Sequence, residues 1–146
     1  MERREFLKAT LGGVALLSVL SQIDTVQAKE EKLLRLKNRE NPSMLEKKHV
    51  PAIVAPKQVK AGKWFEVEVK VGYMVTHPSK PNHWITKICL LCDGKKIAET
   101  VYPVGGVASS SAKFVIRLEK SATLEAIENC NLHGTWIGDP VKVEVI

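Results

Sequence analysis

Phe65-Glu66-Val67-Glu68-Val69-Lys70-Val71 is the stretch that decides the fold. Apolar and charged residues alternate at every position. A period of two puts the apolar side chains on one face of an extended chain and the charges on the other, which describes a half-buried β-strand and not an amphipathic helix. The same alternation returns at the C-terminus, where Val141, Val143 and Val145 are separated by Lys142 and Glu144. Phe114, Ile116 and Leu118 repeat it with Lys113 and Arg117. Between these segments, residues 85–91 form a more apolar run, and Asp93-Gly94 is a hairpin signal leading into a strand over 97–102. Residues 105–111 are a loop of small residues, and 52–55 and 124–128 are shorter strand candidates. About seven strands in about 100 residues, with helical periodicity nearly absent, predict an all-β chain folded as an immunoglobulin-like antiparallel β-sandwich. That architecture by itself assigns no function.

The whole chain has 146 residues, enough for one domain. Apolar residues at 45% and charged residues at 26% are ordinary for a globular chain. They exclude a disordered tail, a collagen-like chain and a polytopic membrane protein. The net charge is +6, but no run of five basic residues occurs, so nucleic acid is not the expected partner. A dispersed positive charge of this size draws in small anions. Three cysteines are too few, and an odd number, for a disulfide scaffold.

Residues 1–28 read as an export signal preceding the fold. A basic start, a weakly apolar run over 9–20 and a small-residue end at Val26-Gln27-Ala28 have the secretory pattern. Twelve helical residues span about 18 Å, short of the ~30 Å hydrocarbon core, so no stable membrane insertion is expected. Arg3-Arg4-Glu5-Phe6-Leu7-Lys8 resembles the twin-arginine signal of bacteria, which implies a periplasmic or other extracytoplasmic location. That route carries folded proteins, so a thiolate ligand can take its metal in the reducing cytosol before export. Residues 29–45 are highly charged and read as a linker or short surface helix, and the domain proper is expected over 46–146.

Chemistry concentrates in the histidines. His49, His77, His83 and His133, all four in the chain, fall beside turn residues, at loops or strand edges. His133 also stands at Cys-x-x-His spacing from Cys130. Imidazole and thiolate are the ligands that zinc, iron and copper favour. Structural zinc usually uses paired cysteine knuckles, and a non-haem oxygenase needs a carboxylate. A cupredoxin-like copper carrier, the alternative reading, needs two histidines, one cysteine and a weak axial methionine, and no methionine follows His133. Four imidazoles and one thiolate suit a five-coordinate iron with one open position.

At these residues the chain resembles the superoxide reductases, the neelaredoxin and desulfoferrodoxin family. The resemblance rests on Lys48-His49-x-Pro51, His77-Pro78-x4-His83 and Cys130-Asn131-x-His133-Gly134-x-Trp136, and runs from about Glu46 to the C-terminus. It implies one mononuclear non-haem iron, with His49, His77, His83 and His133 as equatorial nitrogens and Cys130 as axial sulfur. His133 would bind through Nδ1 and the others through Nε2. Lys48 matches the lysine that attracts superoxide to the open site. The reaction implied is one-electron reduction of superoxide to hydrogen peroxide. The four-cysteine rubredoxin-like site of some relatives is absent, so the chain resembles the one-iron type. Rubredoxin is the family's electron donor, and homo-oligomers occur in it; an exported enzyme needs a different donor. Family members commonly carry a glutamate two residues before the first histidine. Here Lys47 holds that place and Glu46 comes one residue earlier.

Trp84 and Trp136 adjoin these histidines and are expected mainly to fill the core. Cys89 and Cys92, three residues apart in a probable strand, would lie on opposite faces about 10 Å apart, too far for a disulfide. They read as small buried hydrophobes.

Overall fold

The computed structural model describes residues 32–146. The export-signal reading of residues 1–28 lies outside the described residues. Strand β4 (Phe65–Val71) forms over the alternating stretch, with Val67, Val69 and Val71 buried and Glu66, Glu68 and Lys70 turned outward. It pairs antiparallel with β2 (Pro51–Val54) on one side and β7 (Ser111–Ile116) on the other, making a three-stranded sheet.

The opposing sheet has seven strands, centred on β8 (Ala122–Cys130). One edge of β8 runs along β5 (Ile85–Cys92), which pairs with β6 (Lys95–Val101) through the Asp93-Gly94 turn. The other edge is split. Its first half pairs with β10 (Val141–Val145) and its second half with β9 (Gly134–Ile137). Two short strands close the ends. β1 (Leu33–Leu34) runs parallel to β9, and β3 (Gln58–Val59) parallel to β10. The antiparallel sandwich is thus as expected in its long ladders, while both edge additions are parallel.

Ile88 and Leu90 of β5, Leu124 and Ala126 of β8 and Val143 of β10 meet the β4 valines between the sheets. Cys130, the last residue of β8, belongs to the same core. Cys92 packs against that core, whereas Cys89 directs its thiol to Glu99 at 3.4 Å, so the two lie on opposite faces and both are free. Among the described residues no helix is long and apolar enough to cross a membrane.

The linker reading of residues 29–45 is corrected from Leu33 onward. Leu33 and Leu34 join the sheet through β9, and the Arg39 guanidinium grips the Asp139 carboxylate with two bonds of 2.6 Å. Two leucines gain a backbone ladder and an apolar contact there, which a free linker would forgo.

A second correction concerns His49. It closes a short helix, α1 (Met44–His49), where the sequence suggested only a loop or strand edge. Ser43 caps α1 by accepting the Glu46 N–H on its hydroxyl at 3.2 Å. Serine followed three residues later by glutamate is the capping-box pattern, and it was the available signal for this helix. Gly72 runs so close to the Lys47–Lys48 backbone that a Cβ there would collide with it. The N–H groups of Met74 and Val75 donate to the Lys47 carbonyl at 3.3 and 3.2 Å, which fixes α1 against the loop leading to His77.

Candidate metal centre

The five predicted donors come from three separate segments. α1 brings His49, the loop between β4 and β5 brings His77 and His83, and the end of β8 with the turn into β9 brings Cys130 and His133. Gly134 makes that turn possible, since its φ of +87° lies where a side chain would be strained.

Four imidazoles form a square. Successive ring centroids, His49 to His77 to His83 to His133 and back, lie 4.7, 4.6, 5.0 and 4.9 Å apart, with neighbouring planes at 67–81°. The His49–His83 diagonal is 6.4 Å, close to what a square of that side requires, with ring planes within 29°. Cys130 meets this square from the core side. Its Sγ is 3.4 Å from His77 Nε2 and 3.7 Å from His133 Nδ1. One donor atom from each of His49, His77, His83 and Cys130 lies within 4.8 Å of all the others, and His133 stands outside that tight group, joined to it through Cys130 and the ring contacts with His49 and His83.

Neighbouring carbonyls select which nitrogen faces inward. His49 Nδ1 lies 2.7 Å from the Leu45 carbonyl and His77 Nδ1 2.7 Å from the Pro78 carbonyl. A carbonyl can only accept, so each Nδ1 carries the proton and each Nε2 keeps a lone pair. His49 Nε2 and His83 Nε2 are both buried without a hydrogen-bond partner. Buried polar atoms left unpaired are costly, and lone pairs aimed into one small space are what a cation relieves. Ser110 steadies the His77 segment by donating to the His77 carbonyl at 2.8 Å.

Electrostatics favour ligand-ready rings. Burial lowers the basicity of His49, of His83, and of His77 to about 4, so these rings stay neutral at neutral pH. The positive charge of Lys48 acts in the same direction at His49 and His83. Burial pushes the Cys130 thiol up, while the Leu132 and His133 N–H groups, bonded to the sulfur, act in the opposite sense. A thiol so placed ionises when a cation takes the proton's place.

The donor spacing fits a single first-row metal ion. Two ligands at right angles on one ion, at about 2.3 Å for sulfur and about 2.1 Å for nitrogen, sit about 3.1 Å apart, a few tenths shorter than the separations here. The copper-carrier alternative fits less well: four imidazoles surround the sulfur where two would serve, and Met44 and Met74 face solvent at 57% and 60% exposure.

Glu46 stands one helical turn before His49, buried, with Oε2 unpartnered, yet it lies outside the donor cluster. Trp136 both fills the core and serves the site: it stacks on His49 and donates from Nε1 to the His133 carbonyl at 3.1 Å. Sequence reasoning missed Glu128. Both of its carboxylate oxygens are buried without a partner, and burial raises its pKa to about 9. The alternation of β8 carried the signal, because Glu128 shares the inward face with Leu124, Ala126 and Cys130.

Residues 41–139 match the family model described as desulfoferrodoxin. The superoxide reductase of Thermococcus kodakarensis is 36% identical over 98 residues, covering 61% of this chain and 82% of that protein. That of Pyrococcus abyssi is 36% identical over 103 residues, with coverage of 61% and 82%. Among solved structures, the superoxide reductase (neelaredoxin) of Ignicoccus hospitalis superposes with a TM-score of 0.59 at 34% identity, covering 67% of this chain and 81% of that one.

Proposed function

The chain belongs to the desulfoferrodoxin family, and from that premise we propose that it is a superoxide reductase whose single non-haem iron is held by His49, His77, His83, Cys130 and His133. One observation carries the reading: four imidazoles arranged as a square over one buried thiol. Superoxide takes one electron and two protons and leaves as hydrogen peroxide, with no dioxygen released.

Bound iron supplies the one-electron couple and a coordination position for the anion. The protein's own residues do the rest. Nε2 of His49, His77 and His83 and Nδ1 of His133 face the centre, and the Leu45 and Pro78 carbonyls hold two of those rings in the binding tautomer. Cys130 gives up its proton on metal binding and brings thiolate electron density to the buried side, a lever also used by thiolate-ligated haem proteins. Lys48, half-buried and next to His49 in the chain, draws in the superoxide anion. Trp136 shields the His49 ring from water.

Residues 1–28 act on this reading as a twin-arginine signal, which Arg3-Arg4-Glu5-Phe6-Leu7-Lys8 supports. The mature protein then works in the periplasm or another extracytoplasmic space. Its electron donor is a one-electron carrier met there, in the role that rubredoxin fills elsewhere in the family. Homo-oligomeric assembly follows from the same resemblance.

The test is purification under anaerobic conditions, metal quantification and then oxidation. One iron per chain, and a visible thiolate-to-iron absorption lost in Cys130→Ala, are expected. Enzyme-dependent superoxide loss should be sustained only while a reductant is supplied, with one electron consumed per superoxide and no dioxygen released beyond that of spontaneous dismutation. Copper bound in place of iron overturns the proposal.

A further inference from the structure

Asn131 directly follows Cys130, yet its side chain serves a different loop. Its Nδ2 donates to the Asn82 carbonyl at 2.9 Å, and its Oδ1 accepts the Trp84 N–H at 2.9 Å. Its own N–H donates to the Trp84 carbonyl at 3.2 Å. One carboxamide therefore grips the chain on both sides of His83. Donor and acceptor ends are each matched, which fixes the amide's orientation.

The position of this grip matters. The backbone ladder between β5 and β8 ends at Ile85 opposite Cys130. Beyond that rung, Asn131 continues the connection between the segment carrying His83 and the turn carrying Cys130 and His133. The other rings are anchored differently. His49 and His77 are tied by their own Nδ1 atoms to nearby carbonyls, and His133 shares a tight turn with Cys130. His83 is only half-buried, and its neighbours are held by the Lys80–His83 bridge, by Trp84 Nε1 on the Tyr102 carbonyl at 2.8 Å, and by Asn131. Of these, only Asn131 refers His83 to the sulfur.

We propose that Asn131 is a positioning residue that sets His83 at binding distance from the Cys130 side of the centre. This rests on the metal-centre reading above. Without the carboxamide, the Asn82-His83-Trp84 backbone loses two bonds, and His83 swings toward solvent more readily than it binds. The site then keeps its remaining four donors but holds metal less firmly. Loss of a supporting hydrogen bond behind a metal ligand typically costs about 10- to 100-fold in affinity.

The experiment is a thermodynamic cycle on the full mature chain, titrated anaerobically with ferrous iron against a competing chelator. Asn131→Ala should weaken iron binding by about 10- to 100-fold. In a His83→Ala background the same substitution should cost nothing further, because a residue that acts through His83 has nothing left to act on. Asn131→Asp keeps the acceptor for Trp84 but sets a carboxylate against the Asn82 carbonyl, so it too should weaken binding in the native background and cost nothing further without His83; it carries the same cycle if Asn131→Ala fails to fold. The oxidised thiolate-to-iron absorption band should shift in Asn131→Ala as the donor set loosens. Equal losses in both backgrounds would mean that Asn131 supports the fold at large, and unchanged affinity in the native background would mean that it supports nothing at the site; either overturns the proposal. Native protein that binds no ferrous iron would instead overturn the metal centre itself.

Discussion

The indole of Trp136 lies face to face with the imidazole of His49, centroids 5.4 Å apart and planes within 28°, although the two residues are separated by most of the domain's sequence. The stack couples strand β9 to helix α1. Trp136→Phe should keep an aromatic face against His49 and lose the bond to the His133 carbonyl, costing about 1 kcal/mol. Trp136→Ala should cost about 3–5 kcal/mol, since it opens a cavity in the core. Denaturant unfolding of the metal-free protein measures both. Equal costs for the two substitutions would show that the stack contributes nothing.

Helix α1 depends on its cap. Ser43→Ala removes the only side-chain acceptor for the Glu46 N–H and should cost about 1 kcal/mol, whereas Ser43→Asp should be close to neutral. Because the same six residues present His49, the alanine variant should also bind ferrous iron more weakly. Thermal melts and a chelator competition on the two variants check this.

Acid should destabilise the metal-free protein through its histidines. His77 sits at about 4 in the folded chain against about 6.5 unfolded, and His49 and His83 are lowered too. Between those values the unfolded chain binds more protons, so stability falls as pH drops from about 6.5 toward about 4. Glu128 acts at the other end. Its folded value of about 9 exceeds the ordinary 4.5, so its contribution is complete below about 4.5 and is lost as pH rises toward about 9. Melting temperatures of the metal-free protein from pH 4 to 9 should therefore fall on both sides of a maximum. Glu128→Gln should flatten the alkaline limb and steepen the acid limb between about 4.5 and 6.5, where Glu128 opposes the histidines.

Lys48 should act on rate and leave the fold alone. Lys48→Ala is expected to slow the reaction with superoxide by about 10-fold and to weaken its dependence on ionic strength. Lys48→Arg should retain most of both. Pulse radiolysis at several salt concentrations measures the rates, and an unchanged salt dependence in the alanine variant would remove Lys48 from the steering role.

The long strands were legible because their evidence is local. Alternation over residues 65–71 and 141–145 and the Asp93-Gly94 turn each specify their element within a few positions, and the structure follows them. The short strands β1, β3 and β9 were not legible, since two to four residues carry too little pattern to specify a strand, and β1 and β3 owe their conformation to a partner far away in the chain. Helix α1 was signalled only by Ser43 and Glu46, a cap without a periodic stretch behind it.

The sequence by itself determined the donor types and their spacing: four imidazoles, one thiol and a neighbouring ammonium are covalent facts of the chain. Tertiary structure decided the rest. It closed the four rings into a square, put Cys130 beneath them in the core, kept Glu46 outside the donor cluster and left Glu128 without a partner. These are distances between segments dozens of residues apart, set by how two sheets pack and where their loops meet, and no local pattern encodes them.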